Sequence, residues 1–216
     1  MGPKAQEEHQ KGIDNMEIIL ASASPRRKEL LTQIGLDFRV VVSDVEEKIT
    51  KTIPEEIVEE LSCQKAEAVC RSLTGDEDVL VIGADTIVAY DGRILGKPAN
   101  EEEAVRMLQL LQGSTHEVYT GVTLVCRRST MADSAEHAEG AETVIRTFHE
   151  ATKVHFYPMT EQDIRGYVST KDPLDKAGAY GIQGFCARYI SGIEGDYNNV
   201  VGLPVGRLYQ EIKEWL

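Results

Sequence analysis

The sequence predicts an α/β protein: an elongated mixed sheet with helices on both sides and a central cleft between two lobes. Three observations carry that expectation. Strand and helix patterns interleave along the chain instead of segregating into separate halves. Val79–Ala84 (V-L-V-I-G-A) is apolar at almost every position, as a central strand covered on both faces must be. Asp91-Gly92 is a two-residue hairpin turn, which makes part of the sheet antiparallel.

Taken in order, Met1–Asn15 is polar, lacks the apolar stretch of a signal peptide and reads as a mobile extension; residues 16–216 read as one domain of two lobes. Met16–Leu20 is the first strand. Ser24 as N-cap and Pro25 at the first helical position open a helix through Arg27–Gly35, closed by its glycine. Leu36–Val42 alternates as a second strand and runs into an acidic turn, Ser43–Lys48, which carries Glu46 and Glu47. Pro54–Leu73 is a long helix with Ile57, Leu61, Ala68 and Leu73 as its apolar stripe. Lys65 lies inside it, and taken alone is a snorkelling surface lysine.

The apolar run at Val79–Ala84 stops at Asp85-Thr86, and Ile87–Tyr90 resumes it. Arg93–Leu95 returns from the hairpin to Gly96-Lys97-Pro98. Asn100 with Glu103 forms a capping box for a helix over Glu101–Gln112, closed by Gly113. Glu117–Cys126 is a strand, Arg127–Ala141 a long polar surface loop, and Glu142–Tyr157 a long strand or strand pair. Thr160 with Asp163 opens a short helix to Val168. Asp172–Gly184 is rich in glycine, which admits close approach of backbone to a ligand, and holds Gln183 near its end. Phe185–Ile193 and Asn198–Val201 read as strands around a turn at Gly195-Asp196, and Pro204 starts a C-terminal helix to Leu216.

Bulk properties exclude several classes of function. At 216 residues, 42% hydrophobic and 27% charged, the chain is an ordinary globular composition able to bury a core. A formal charge of −13 argues against nucleic-acid binding, which needs a basic face. No apolar run is long enough to span a bilayer, so no membrane partner and a cytoplasmic location are expected. The four cysteines (Cys63, Cys70, Cys126, Cys186) form no C-x-x-C pair and read as small buried hydrophobes in a reducing compartment.

Against that acidic background, Ile18–Leu31 (I-I-L-A-S-A-S-P-R-R-K-E-L-L) gathers Arg26, Arg27 and Lys28 at one helix start. Cations there oppose the helix dipole, so stability does not favour the placement. Free backbone N–H groups, serine hydroxyls and guanidinium forks at a helix N-terminus suit an anion, phosphate above all. Asp85 interrupts an apolar strand, and a charge in that setting is either paired or functional.

The opening segment, G-A-D-T (Gly83–Thr86), G-K-P (Gly96–Pro98), D-K-A-G-A-Y-G-I-Q-G and V-V-G-L-P (Val200–Pro204) occur in that order from about Ile18 to Leu216. Together they resemble the Maf family of nucleoside triphosphate pyrophosphatases; any one could arise by chance, five in order are specific. The N-terminal extension and the longer 127–141 loop depart from the family without interrupting a motif. The resemblance implies an inosine triphosphatase-like fold and cleavage of a nucleoside triphosphate to its monophosphate and pyrophosphate, with a divalent metal, Mg²⁺ or Mn²⁺. The G-I-Q-G form at Gly181–Gly184 implies dTTP and UTP, including modified pyrimidine nucleotides, as substrates. By the same resemblance Asp85 is the general base. Arg26, Thr86 and Gln183 bear on substrate choice, Ser24, Arg27, Lys65 and Lys97 complete the substrate pocket, and Glu47 joins Asp85 as a metal ligand. A homodimer is a further expectation. The competing reading is a nucleotide-binding regulator of cell division that does not turn its ligand over.

Overall fold

The computed structural model describes residues 16–75, 77–129 and 141–216. The expected N-terminal extension and most of the expected 127–141 loop lie outside the described residues. Among the described residues, seven strands form one mixed sheet in the order β2-β1-β3-β5-β6-β7, with β4 paired to β3. They are β1 (Glu17–Leu20), β2 (Arg39–Val40), β3 (Val79–Tyr90), β4 (Arg93–Leu95), β5 (Thr115–Ser129), β6 (Ala141–Phe156) and β7 (Ile190–Glu194). β1 runs parallel to β2 and β3, and all other pairings are antiparallel. The helices are α1 (Pro25–Gln33), α2 (Pro54–Ser72), α3 (Glu101–Leu111), α4 (Glu161–Ser169), α5 (Tyr197–Val201) and α6 (Val205–Ile212).

The α/β expectation holds, and strand alternation explains the layers. Leu20, Leu80, Ile82, Val122 and Leu124 face one way, onto Leu30 and Leu31 of α1 and Leu208 and Ile212 of α6. Ile19, Val79, Val81 and Val125 face the other way, onto Ala66, Val69 and Cys70 of α2. The far ends of β3, β5 and β6 contribute Val88, Val118, Val154 and Phe156 to a second cluster beneath α3 and α4. β3 and β5 therefore pass through both parts of the core.

Local signals mark most boundaries. α1 starts at Pro25 and stops before Gly35, whose φ of +76° an L side chain rarely adopts. Asn100 caps α3, its side chain accepting from the Glu103 N–H at 3.0 Å, while the Glu103 carboxylate accepts from Ala99 N–H at 2.6 Å. Thr160 and Asp163 form a complete capping box on α4. The four cysteines are free thiols, three of them buried.

Several expectations are corrected. Leu36–Val42 forms ladder pairs with β1 at Arg39–Val40 alone, and the Val41 N–H adds one more bond to the Leu20 carbonyl at 3.1 Å. The strand expected at Phe185–Ile193 begins at Ile190; Gly184–Tyr189 is a 3-10 turn. Asn198–Val201 is helix α5, not strand: Asp196 caps it by accepting from the Asn198 N–H, and a short valine-rich run has no periodicity that separates strand from helix. Residues 127–129 extend β5 instead of opening the loop, and 141–156 form a single strand.

Candidate active site

β3 carries Asp85 and Thr86 to opposite faces of the sheet, Asp85 towards α2 and Thr86 towards α1. On the α2 side, two positions next to Asp85 are glycine. Gly83 lies two residues before Asp85 and Gly121 lies directly across from it on β5. A Cβ at Gly83 would sit 2.5 Å from the Ser62 carbonyl oxygen, and one at Gly121 would sit 2.3 Å from that of Val58. α2 thus rests on strand backbone, and this brings the Lys65 Nζ to 2.5 Å from Asp85 Oδ1. The same ammonium lies 3.1 Å from Glu47 Oε1. Glu47 belongs to the extended segment after β2, which Gln64 ties to α2: its amide donates to the Lys48 carbonyl at 2.7 Å and accepts from the Lys48 N–H at 3.0 Å. Asp85 and Lys65 are 14% and 17% exposed and Glu47 is 47% exposed, so one carboxylate is in the wall and the other at the rim.

On the α1 side, Ser24 occupies the N-cap but its hydroxyl makes no capping bond, and the first turn holds no acidic residue. The helix start therefore keeps its positive end for another partner. Arg26 lies 3.5 Å from Asp175 in the glycine-rich segment. Burial pushes the Asp175 carboxyl up, but the hydrogen bond from Lys176, together with the charges of Lys176 and Arg26, outweighs it and holds the group below its ordinary value. Lys176 donates to the Asp172 carbonyl, the Asp172 carboxylate and the Asp175 carboxylate, which accounts for all three of its protons. Lys97 follows β4, is exposed, and has no ion pair among the described residues.

Arg27 is tied into the protein by its own hydrogen bonds. Its Nε donates to Gly202 O at 2.7 Å, Nη1 to Ala84 O at 2.9 Å and Ser22 Oγ at 3.1 Å, and Nη2 to Thr86 Oγ1 at 2.9 Å. Four of its five donors are thus committed inside the protein, and no bidentate fork is left for phosphate. Burial lowers its pKa, opposed first by the Asp85 carboxylate.

Ser24, Arg26, Arg27, Glu47, Lys65, Asp85, Thr86, Lys97 and Gln183 all line one cleft of about 410 Å³. Val88, Val118, Tyr180, Ile182 and Val200 add apolar surface to the lining, and Ser22, Ser43, Asp175 and Lys176 add further polar groups. Tyr180 is held from behind: its hydroxyl lies 2.7 Å from His116 Nε2, and its ring packs edge-on against His116 and Phe156. The cleft lining thus combines charged and hydroxyl groups with apolar side chains.

The carboxylate pair fits a divalent cation. Two hard oxygen donors meet at a single ammonium, which shows that positive charge is accommodated between them. Mg²⁺ in phosphate-handling sites takes one or two carboxylates and fills its shell with water and substrate oxygens. Among the described residues no cluster of three or more His, Cys, Asp or Glu could hold a metal by itself, so a cation here would have to share its shell with a ligand.

The Maf-like protein family matches residues 17–215, nearly the whole described chain. This protein belongs to the Maf family. A dTTP/UTP pyrophosphatase of Lachnoclostridium phytofermentans is 50% identical over 199 residues, covering 92% of this chain and 95% of that one. A dTTP/UTP pyrophosphatase of Agathobacter rectalis is 53% identical over 208 residues, covering 92% and 97%. Among solved structures, a nucleoside-triphosphatase / dITP/XTP pyrophosphatase of Mycobacterium abscessus covers 93% of this chain at 14% identity and a TM-score of 0.38, a likeness too distant to bear on function.

Within this Maf-like protein, sequence reasoning left several cleft residues unassigned. Ser22, Asp175, Lys176 and Tyr180 lie inside the quoted motifs, so the signal was there but without a role attached. Thr120 and Asn199, which join the network behind Thr86, had no local signal at all: a polar residue in a strand or short helix looks solvent-facing until its neighbours are known.

Proposed function

We propose that this protein hydrolyses dTTP and UTP to the nucleoside monophosphate and pyrophosphate, with the triphosphate against the charged and hydroxyl groups of the cleft and the base against its apolar side chains. The observation that supports it most directly is the convergence of Asp85, Lys65 and Glu47 with Arg26, Lys97 and the open start of α1 in one cleft. The relatives named above carry the same activity in their names.

The residues divide the work as the chemistry requires. Water attacks the α-phosphorus, a new P–O bond forms, the α,β-bridging P–O bond breaks, and its electron pair leaves with pyrophosphate. Asp85 orients that water and accepts its proton. Lys65, Lys97 and Arg26 offset the phosphate charge and the charge growing on the leaving group. Ser24 and the first-turn N–H groups of α1 hold phosphate oxygens. A divalent cation bound by Glu47 and Asp85 would neutralise further charge and lower the pKa of the attacking water. Gln183, exposed at the cleft, offers both donor and acceptor to a pyrimidine edge above the Tyr180 wall.

The test is to incubate the protein with a panel of canonical and modified triphosphates and Mg²⁺ or Mn²⁺, assaying pyrophosphate and orthophosphate separately. Pyrophosphate from dTTP and UTP is expected. Orthophosphate as first product would move the cut to the β–γ bond, and tight binding with no product would leave a nucleotide sensor instead.

A further inference from the structure

We infer that Arg27 is a positioning residue that holds the residues on both sides of Asp85, the Ala84 carbonyl and the Thr86 hydroxyl, and is itself held in place by the V-V-G-L-P segment, instead of a ligand for substrate phosphate. The inference rests on the function proposed above and concerns a motif which that function leaves without a role.

The geometry is specific. Arg27 Nη1 donates to the carbonyl of Ala84 and Nη2 to the hydroxyl of Thr86, the residues immediately before and after Asp85. One planar, rigid guanidinium thus brackets the acid on its own strand. Nε of the same group is anchored to Gly202 O, at the end of α5. Gly202 has a φ of +127°, and a Cβ there would lie 3.7 Å from Arg27 Nε, so the turn that offers this carbonyl is one that glycine adopts readily.

A second arm leads to the same segment. Thr86 Oγ1 lies 2.9 Å from Thr120 Oγ1, its cross-strand partner, and Thr120 Oγ1 lies 2.9 Å from the Asn199 carbonyl. A carbonyl only accepts, so the single Thr120 proton goes to Asn199 and Thr86 must donate to Thr120. Thr86 then accepts from Arg27, and the direction of the whole relay is set: Arg27 to Thr86 to Thr120 to Asn199. Asn199 is fully buried and its amide donates to Val118 O at 3.0 Å and Thr152 Oγ1 at 2.9 Å, which pins α5 to β5 and β6. Both arms therefore end on Asn199–Gly202, and the Thr86 proton is turned away from any ligand.

A positioning role and a phosphate-binding role separate kcat from affinity. In Arg27→Lys, kcat for dTTP is expected to fall by about 100-fold, the scale of a small misplacement of a catalytic group. The Kd for α,β-imido-dUTP, read by calorimetry, is expected to stay near the wild-type value. Thr120→Val, at a residue outside the cleft lining that meets Thr86 from behind, is expected to lower kcat in the same direction with Kd unchanged, and Thr120→Ser to restore it. A loss of analogue binding equal to or larger than the loss of turnover in Arg27→Lys would overturn the inference, as would wild-type kcat in Thr120→Val. Should Arg27→Lys show no cooperative melting, the two Thr120 variants decide by the same criteria. A wild-type protein that releases no pyrophosphate would count against the proposed activity alone, because the binding arm is still readable without turnover.

Discussion

Asp85 owes its chemical setting to its immediate neighbours. A carboxylate 14% exposed beside a lysine, with the Ala84 carbonyl and the Thr86 hydroxyl on either side of it tied to Arg27, has little freedom to move, which would suit the proposed base holding one water in line. Asp85→Asn keeps the shape and removes the base; kcat for dTTP should fall by about 100- to 10,000-fold while binding of α,β-imido-dUTP persists, checked by pyrophosphate release and calorimetry. His116 makes a different residue-scale statement. Burial, with a smaller contribution from His155, pulls its pKa from 6.5 down to about 4, so the folded protein keeps it neutral against the Tyr180 hydroxyl. Because the folded value lies below the unfolded one, the unfolded chain takes up the proton first as pH falls. The stabilisation is fully present above pH 6.5 and is lost between there and about 4. Urea melts at pH 7 and pH 5 should show wild type losing about 2 kcal/mol more than His116→Gln.

At the scale of elements, the decisive contact is α2 on the β3–β5 pair. Its closeness depends on Gly83 and Gly121, and Lys65 reaches Asp85 only because the helix lies so near the strand. Gly83→Ala puts a methyl against the Ser62 carbonyl and the Ala66 side chain, both on α2. Overpacking of this kind costs about 1–3 kcal/mol, and here it also lifts Lys65 away from the acid. A lower urea midpoint together with a lower kcat is expected; a stability loss with unchanged kcat would show that the Lys65–Asp85 contact does not depend on that packing. α5 teaches a related point. Its sequence, Y-N-N-V-V, reads as strand, yet the cap at Asp196 and the buried amide of Asn199 make it a helical turn.

At the scale of the molecule, the cleft collects residues from Ala21 to Gly202. Arg26 and Asp175 already face each other across it at 3.5 Å, linking the start of α1 to the glycine-rich segment. A nucleotide seated there touches both parts of the core, so it binds the folded chain and not the unfolded one. At a free concentration of 100 Kd it should add about 2.7 kcal/mol, raising Tm by roughly 5–10 °C for a chain of this size. Thermal melts with and without α,β-imido-dUTP check this, and an unshifted Tm would place the nucleotide elsewhere.

By itself the sequence determined the α/β class, the run of β1, α1, α2, β3 and α3, and the motif residues that share the cleft. Those are local properties: apolar periodicity, caps, turn dipeptides and unusual charges leave marks within a few residues. Only the tertiary structure decided which way the guanidinium of Arg27 points, that Thr86 donates to Thr120, and that Val200–Pro204 supports the strand carrying Asp85. Hydrogen bonds between residues 175 positions apart, such as Arg27 to Gly202, leave no trace in either local pattern. They exist because a buried polar group must find a partner, and that partner is chosen by packing.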